Sequence, residues 1–297
     1  ISNVSEGEHD VVVSYSGDGT YDPQEVTEHI TVRTSINAED LRRGWNSSYD
    51  FEAEFLDKQG HVLANTEVQF VVNGVTYTAT TDEKGIARLT TSHLDVGTYD
   101  VTCVNTVTGQ EVTKKATIVK RLIGNKDITM DYYDGTYYVV RAIGDDGLPV
   151  GAGEFVGITV NGVRYAERTD SNGFARLKIN LLPNTYTIEA EYKNTKVSNK
   201  LVVKPVLSLV KPTITVKKGS KLVLQAQLKS SNGKPLIGKQ ITFRFYGQNY
   251  VAKTNRYGIA TVTVDANVVK KLTSNAKYKY SARYMQCTVK GIVIPKT

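Results

Sequence analysis

Apolar and polar residues alternate with a period of two along almost the whole chain. In TEVQFVVNG (Thr66 to Gly74), Val68, Phe70 and Val72 share one parity while Glu67, Gln69 and Val71 share the other, which is the pattern of a strand with one buried face. Val, Thr, Tyr and Ile fill these runs, and their branched or flat side chains suit a pleated surface. Asn73-Gly74 follows at once, a pair in which both residues tolerate positive φ and which closes a two-residue hairpin. Its counterpart Asn161-Gly162 stands 88 residues on, and Gly247 takes the place a third time. Only Asp265 to Leu272 reads as helix: an N-cap acid precedes Val268, Val269 and Leu272, and the segment has at most two turns.

The turns between these strands repeat. TDEKGIARL (Thr81 to Leu89), TDSNGFARL (Thr169 to Leu177) and TNRYGIATV (Thr254 to Val262) are versions of one phrase. Each is preceded by a second glycine turn, LDKQGHVL around Gly60, IGDDGLPV around Gly147 and SSNGKPLIG around Gly233, at gaps of 25, 26 and 25 residues. A period near 87 residues exceeds a solenoid unit and suits a whole small domain repeated in tandem. About seven strands per repeat, with turn signals every 8 to 12 residues, predict an all-β chain of antiparallel two-sheet Ig-like sandwiches. The expected domains are 35–122, 123–206 and 207–297. Tyr99 in GTYDV and Tyr186 in NTYTI stand where such sandwiches carry a corner tyrosine whose hydroxyl ties back to the backbone; in KYKYSARY both Tyr278 and Tyr280 fit the place. The linkers are short, and Pro205 and Pro212 favour an extended, stiff connection in the second, so an elongated array is expected. Residues 1–34 stand outside the scheme. DVVVSYSGDGTY and TEHITVRT read as a β-hairpin, either the closing hairpin of a preceding domain or strands donated to an open sheet edge of another molecule.

Composition adds little, and charge adds much. Of 297 residues, 40% are hydrophobic and 23% charged, as in ordinary globular domains. No run of 18 apolar residues is present, so no membrane span is expected, and ISNVSEGEHD lacks the basic start and apolar run of an export signal, so any such signal lies outside the chain. Residues 205–297 hold 17 Lys and Arg and one acid, Asp265, a net +16; residues 1–34 hold seven acids and Arg33, a net −6. The chain has an acidic head and a basic tail. Candidate residues for an anionic partner are Lys217, Lys218, Lys221, Lys270, Lys271, Lys277 and Lys279, and for acidic self-assembly Glu6, Glu8, Asp10, Glu25 and Glu28.

The tail's interleaved lysines and tyrosines match a charge-plus-stacking template for nucleic acid. Lysine far outnumbers arginine there, however, and strands already account for the tyrosines. An anionic surface polymer or acidic partner therefore fits better, and nucleic acid is not expected. Catalytic patterns are lacking. GAGEFVG (Gly151 to Gly157) has the wrong spacing for a dinucleotide loop, HExxH, GxSxG and CxxC do not occur, and His9, His29, His61 and His93 never recur at ligand spacing. No catalytic residue, metal or cofactor is assigned. Calcium would need several oxygens around turn aspartates such as Asp57, Asp82, Asp145, Asp146 and Asp170, whereas aspartate also favours such turns by bonding its own backbone. Cys103 shares parity with Tyr99 and Val101, as a small core hydrophobe would. Asn3 and Asn46 head Asn-x-Ser sequons and are candidate glycosylation sites. Trp45 and Tyr49 are the candidate aromatics for a carbohydrate-binding surface.

The order D-x-x-G-x-x-L (Asp57 to Leu63), V-x-F (Val68 to Phe70), T-D-x-x-G-x-A-x-L (Thr81 to Leu89) and G-T-Y-x-V (Gly97 to Val101), with its second-repeat matches, resembles the Ig-like domains of bacterial invasin and intimin type adhesins. It is more similar still to adhesin-like surface proteins of methanogenic archaea. VSYSGDGTY (Val13 to Tyr21) resembles the closing hairpin of such repeats. The third repeat departs from the pattern with Asn255 in place of aspartate. The resemblance implies an exported, extracellular cell-surface protein that holds something at a distance, as a stalk, or binds another surface; the basic last domain is expected to bind a cell-wall or envelope polymer or another cell's surface. A subunit of a filament is the alternative, joined head to tail as residues 1–34 enter the basic domain of a neighbour.

Overall fold

The computed structural model describes residue 4 and residues 6–297. The chain gathers into two compact units, residues up to Ile123 with Ala142–Val150, and Gly124–Arg141 with Gly151–Thr297. Strands make up nearly all the regular structure, and Ala266–Lys270 is the one helix among the described residues.

The first unit opens with the antiparallel hairpin Gly7–Tyr15 and Gln24–Val32. A sandwich follows. Its larger sheet has the order Leu41–Gly44, Glu111–Val119, Gly97–Val104, Glu67–Val72, Val75–Thr80, and its smaller sheet the order Ile36–Ala38, Phe51–Phe55, Ile86–Leu89. Val68, Phe70 and Val72 are buried, as their parity predicts, and Phe70 meets Phe51 and Phe55 edge-on at 6.0 Å each across the two sheets. Burying each of these rings contributes about 1.5–3 kcal/mol. The chain passes from the smaller sheet to the larger at Asp40, whose Oδ1 accepts the Lys115 N–H at 2.8 Å, and Leu41–Gly44 joins the larger sheet in parallel, Leu41 opposite Ala116.

In the second unit, one five-stranded sheet runs Ile128–Asp131, Thr195–Lys204, Asn184–Tyr192, Phe155–Val160, Val163–Arg168. It is accompanied by the antiparallel pairing that runs from Tyr137 opposite Lys178 to Arg141 opposite Phe174. Another runs Thr213–Lys217, Cys287–Lys296, Tyr278–Tyr284, Gln240–Phe245, Gln248–Lys253, accompanied by Leu207–Leu209, Leu222–Leu228, Ile259–Val264. The same strand order in each larger sheet makes the chain a tandem of Ig-like sandwiches. Asp127 repeats the role of Asp40, accepting the Lys200 N–H at 2.9 Å.

The recurring phrases are explained by what their atoms bond. The threonine that opens each one is buried: Thr81 Oγ1 donates to the Leu63 carbonyl at 2.5 Å and accepts the Thr66 N–H at 2.9 Å. Thr169 does the same with Gly151 and Glu154, and Thr254 with Leu236 and Lys239. The next residue accepts two N–H groups from its own turn: Asp82 from Lys84 and Ile86, Asp170 from Asn172 and Phe174, Asn255 from Tyr257 and Ile259. An amide oxygen serves as well as a carboxylate, so Asn255 preserves the turn. The phrase's glycine has positive φ and lies against a neighbouring strand; a Cβ on Gly258 would sit 2.3 Å from the Leu228 carbonyl oxygen.

The other glycine turn is a docking element within each unit. In the first unit, the turn Gly144–Val150 lies on Leu41–Gly44: Gly44 N–H donates to the Asp145 carbonyl at 3.1 Å and Arg42 Nε to the Gly147 carbonyl at 3.0 Å. Arg121, almost fully buried, donates to the Trp45 carbonyl at 2.7 Å and pairs with Asp145 at 2.5 Å. In the second unit Ser231 N–H reaches both oxygens of Asp131 at 3.1 Å, and Gln286 N–H donates to the Tyr132 hydroxyl at 3.2 Å.

Candidate functional site

The register of the third five-stranded sheet decides where its cations lie. Lys217 stands opposite Lys296, and Leu222 stands opposite Val264 just before the helix. The strand ends at Lys217, the turn through Lys218 to Lys221, the helix end at Lys270 and Lys271, and the loop to Lys277 therefore lie at one end of the sandwich. Lys218 N–H donates to the Lys296 carbonyl at 2.7 Å, and Lys296 Nζ donates to Asn275 Oδ1 at 2.8 Å. The Tyr278 hydroxyl accepts the Thr273 N–H at 2.9 Å, which together with the nearby Lys218 lowers its pKa. This tyrosine, opposite Val293 as Tyr99 is opposite Ala116, fills the corner place left open between two residues. Tyr99 and Tyr186 bond the Asp95 and Leu182 carbonyls four residues upstream, while Tyr278 bonds five upstream, where the helical insertion rejoins the strand. Asp265, the lone acid of this sandwich, caps the helix through the Asn267 N–H at 2.8 Å.

The seventh lysine goes elsewhere. Lys279 stands opposite Ile292 on the outer face of the sheet, where its parity joins it to Arg283 and to Arg244, Lys253 and Lys290 on neighbouring strands. Counting charges in the sequence missed this second grouping. The signal that finds it is alternation: Arg244 lies between the buried Phe243 and Phe245, and Arg283 between the buried Ala282 and Tyr284.

The acidic candidates divide between two faces of the first hairpin. Glu8, Asp10 and Glu25 share a face with His29, which bonds Asp10. Glu28 lies on the other face with Val11, Val13, Tyr15, Val26 and Ile30, and Glu6 precedes the strand. Val13, Val26 and Tyr15 are 61%, 53% and 43% exposed.

The turn aspartates bond their own chain. Asp57 accepts the Gln59 and His61 N–H groups, and Asp146 accepts that of Leu148. The pKa of Asp57 is lowered chiefly by His61 N–H, that of Asp82 by Ile86 N–H, and that of Asp170 by the Arg176 guanidinium. Among the described residues no group of three or more His, Cys, Asp or Glu is placed to hold a metal ion, and no helix is long and apolar enough to cross a membrane. Cys103 is buried, and burial pushes its thiol up to about 12; Cys287 is half-buried. Asn46 is exposed in a left-handed turn, and Asn3 lies outside the described residues. Trp45 packs on the first core, and Tyr49 is exposed.

No family model matches the chain. No curated protein matches it either. Among solved structures, the chain is similar to a tandem of domains I9–I11 from titin at 12% identity and a TM-score of 0.43, over 88% of this chain and 99% of that one. It is also similar to a Ca2+-stabilized adhesin with which an Antarctic bacterium binds ice, at 14% identity and 0.25, over 98% and 82%. A third is invasin, a bacterial integrin-binding protein, at 17% identity and 0.24, over 88% and 59%.

Proposed function

We propose that this chain is a non-enzymatic extracellular adhesin or stalk protein whose Ig-like beads project from a cell surface. Its basic third sandwich holds an anionic component of an envelope or of another cell. The observation that carries this reading is the +16 charge of residues 205–297 with one acid, itself committed to capping a helix. Carboxylates to neutralise those cations must come from outside the sandwich, and exposed lysines act as loosely placed point charges suited to a polyanion. The test is binding of the full chain to isolated cell envelope between about 50 and 500 mM NaCl: screening should lower affinity at least tenfold. Binding indifferent to salt rejects the electrostatic reading.

A filament subunit is the second reading, favoured by the first hairpin. A two-stranded ribbon is marginal by itself, and this one exposes an apolar face beside acids complementary to the third sandwich. Sedimentation of the chain with and without residues 1–34 separates the readings. Assembly that rises with concentration and vanishes on truncation supports a filament, and a parent chain that stays monomeric at about 100 µM rules it out.

A further inference from the structure

The three larger sheets share one strand order, so each outer face can be compared with the other two position by position. In the first sandwich, Val71 stands opposite Thr76 and Thr102, and Gln69 opposite Val104. In the second, Thr159 stands opposite Arg164 and Glu189, and Gly157 opposite Glu191. That face is closed by its own ion pair: Arg164 Nη1 meets Glu191 Oε2 at 2.5 Å and holds its pKa down. The guanidinium lies flat across the sheet, where a Cβ on Gly157 would stand 2.4 Å from it. In the third sandwich, Arg244 stands opposite Asn249 and Ser281, and Thr242 opposite Arg283. Arginine has taken the place of the carboxylate, asparagine that of the arginine, and no acid remains on the face.

The consequence is an open groove. Thr242, Arg244, Asn249, Ser281, Arg283 and Thr288 line a cavity of about 280 Å³, with Lys290 opposite Ser281 and Lys279 further along. Among the described residues, neither Arg244 nor Arg283 has an ion-pair partner. They are diagonal neighbours on adjacent strands, a spacing of roughly 7–8 Å, so two guanidinium forks flank a strip of hydroxyl and amide groups. The sandwich has three arginines, and two are here.

We propose that this groove binds an oxyanion-bearing polysaccharide, with Arg244 and Arg283 each clasping a carboxylate or sulfate and Thr242, Ser281, Thr288 and Asn249 meeting sugar hydroxyls. Arginine's planar fork grips such groups bidentately, which lysine cannot do. The lining has no aromatic ring on which a base could stack, which disfavours nucleic acid, and no apolar subsite for peptide side chains. The inference rests on the reading of the third sandwich as an anion-binding surface and names where and by what chemistry it binds.

The test measures affinity of the full chain for polygalacturonate, which carries carboxylates, and for heparin, which carries sulfates, by calorimetry at moderate salt. Poly-glutamate and oligo-dT serve as competitors. R244Q/R283Q should lose at least tenfold in affinity. K270Q/K271Q/K277Q, which removes more charge at the sandwich end, should lose less than about threefold, and R244K/R283K should lose severalfold although its charge is kept. Melting curves that superpose on the parent's exclude unfolding, and whichever polymer binds more tightly identifies the oxyanion. An R244Q/R283Q affinity within twofold of the parent overturns the groove. If the lysine variant then loses binding instead, the electrostatic reading of the sandwich survives without it. Failure of the parent to bind either polysaccharide, or equal displacement by poly-glutamate or oligo-dT, overturns the assignment to a glycan.

Discussion

Thr81→Val, Thr169→Val and Thr254→Val form one experiment done three times. Valine keeps the shape of threonine, so packing is nearly unchanged, but the substitution removes the donor to Leu63 O and the acceptor for Thr66 N–H, and their counterparts in the other repeats. Each threonine is at most 4% exposed. A polar group left unsatisfied by such a change costs about 1–3 kcal/mol, so two partly reachable by water should cost about 2–4 kcal/mol. Serine at the same place keeps both bonds and loses one methyl, worth about 0.8 kcal/mol. Unfolding of a multidomain chain is not a two-state event, so the assay is native-state hydrogen exchange read by mass spectrometry on peptides of the altered repeat. Valine should speed exchange of the slowest amides roughly 30- to 900-fold, each 1.36 kcal/mol being tenfold, and serine roughly fourfold. If valine proves no worse than serine in all three repeats, the buried strap is not what fixes the phrase.

Gly258→Ala places a Cβ 2.3 Å from the Leu228 carbonyl oxygen at φ +73°; it should destabilise the third sandwich by more than about 1–2 kcal/mol, seen as earlier denaturant unfolding of its peptides. The carboxyl groups of Asp82 and Asp170 have lowered folded-state pKa values. Their contribution is therefore present above the unfolded value near 3.9 and is lost as pH falls through the folded one. Exchange protection of residues 81–89 and 169–177 should drop below about pH 4 while that of 254–262, built on Asn255, holds, and D82N should abolish the drop in the first repeat. Cys103, with its thiol at about 12 and its side chain buried, should resist an aromatic disulfide reagent at about pH 8 while the half-buried Cys287 reacts faster; equal rates on the folded chain would contradict the core placement.

Much of this fold was legible because its strands alternate cleanly and its turns need particular residues. Asn73-Gly74 and Asn161-Gly162 take positive φ as their type predicts; Tyr246-Gly247 does so with a tyrosine where asparagine is easier. What could not be read was whatever depends on residues distant in sequence. The sheet change at Asp40 is invisible until Lys115 lies beside it, and the burial of Arg43 and Arg121 goes against their type. Arg43 tolerates it by donating to the Thr91 carbonyl at 2.5 Å and the Ser47 carbonyl at 3.2 Å, with its pKa lowered first by burial and then by Arg121. The charge of the third repeat was plain from counting, and alternation puts Arg244 and Arg283 on an outer face, but that the two lie side by side needed the register.

The most direct measurement is a lysine-reactivity footprint of the intact chain with and without isolated envelope polymer, read peptide by peptide. The proposed function predicts protection confined to lysines between 207 and 297, relieved at high salt. Protection centred on the lysines between 35 and 206, with those of the third sandwich as reactive as before, would contradict it.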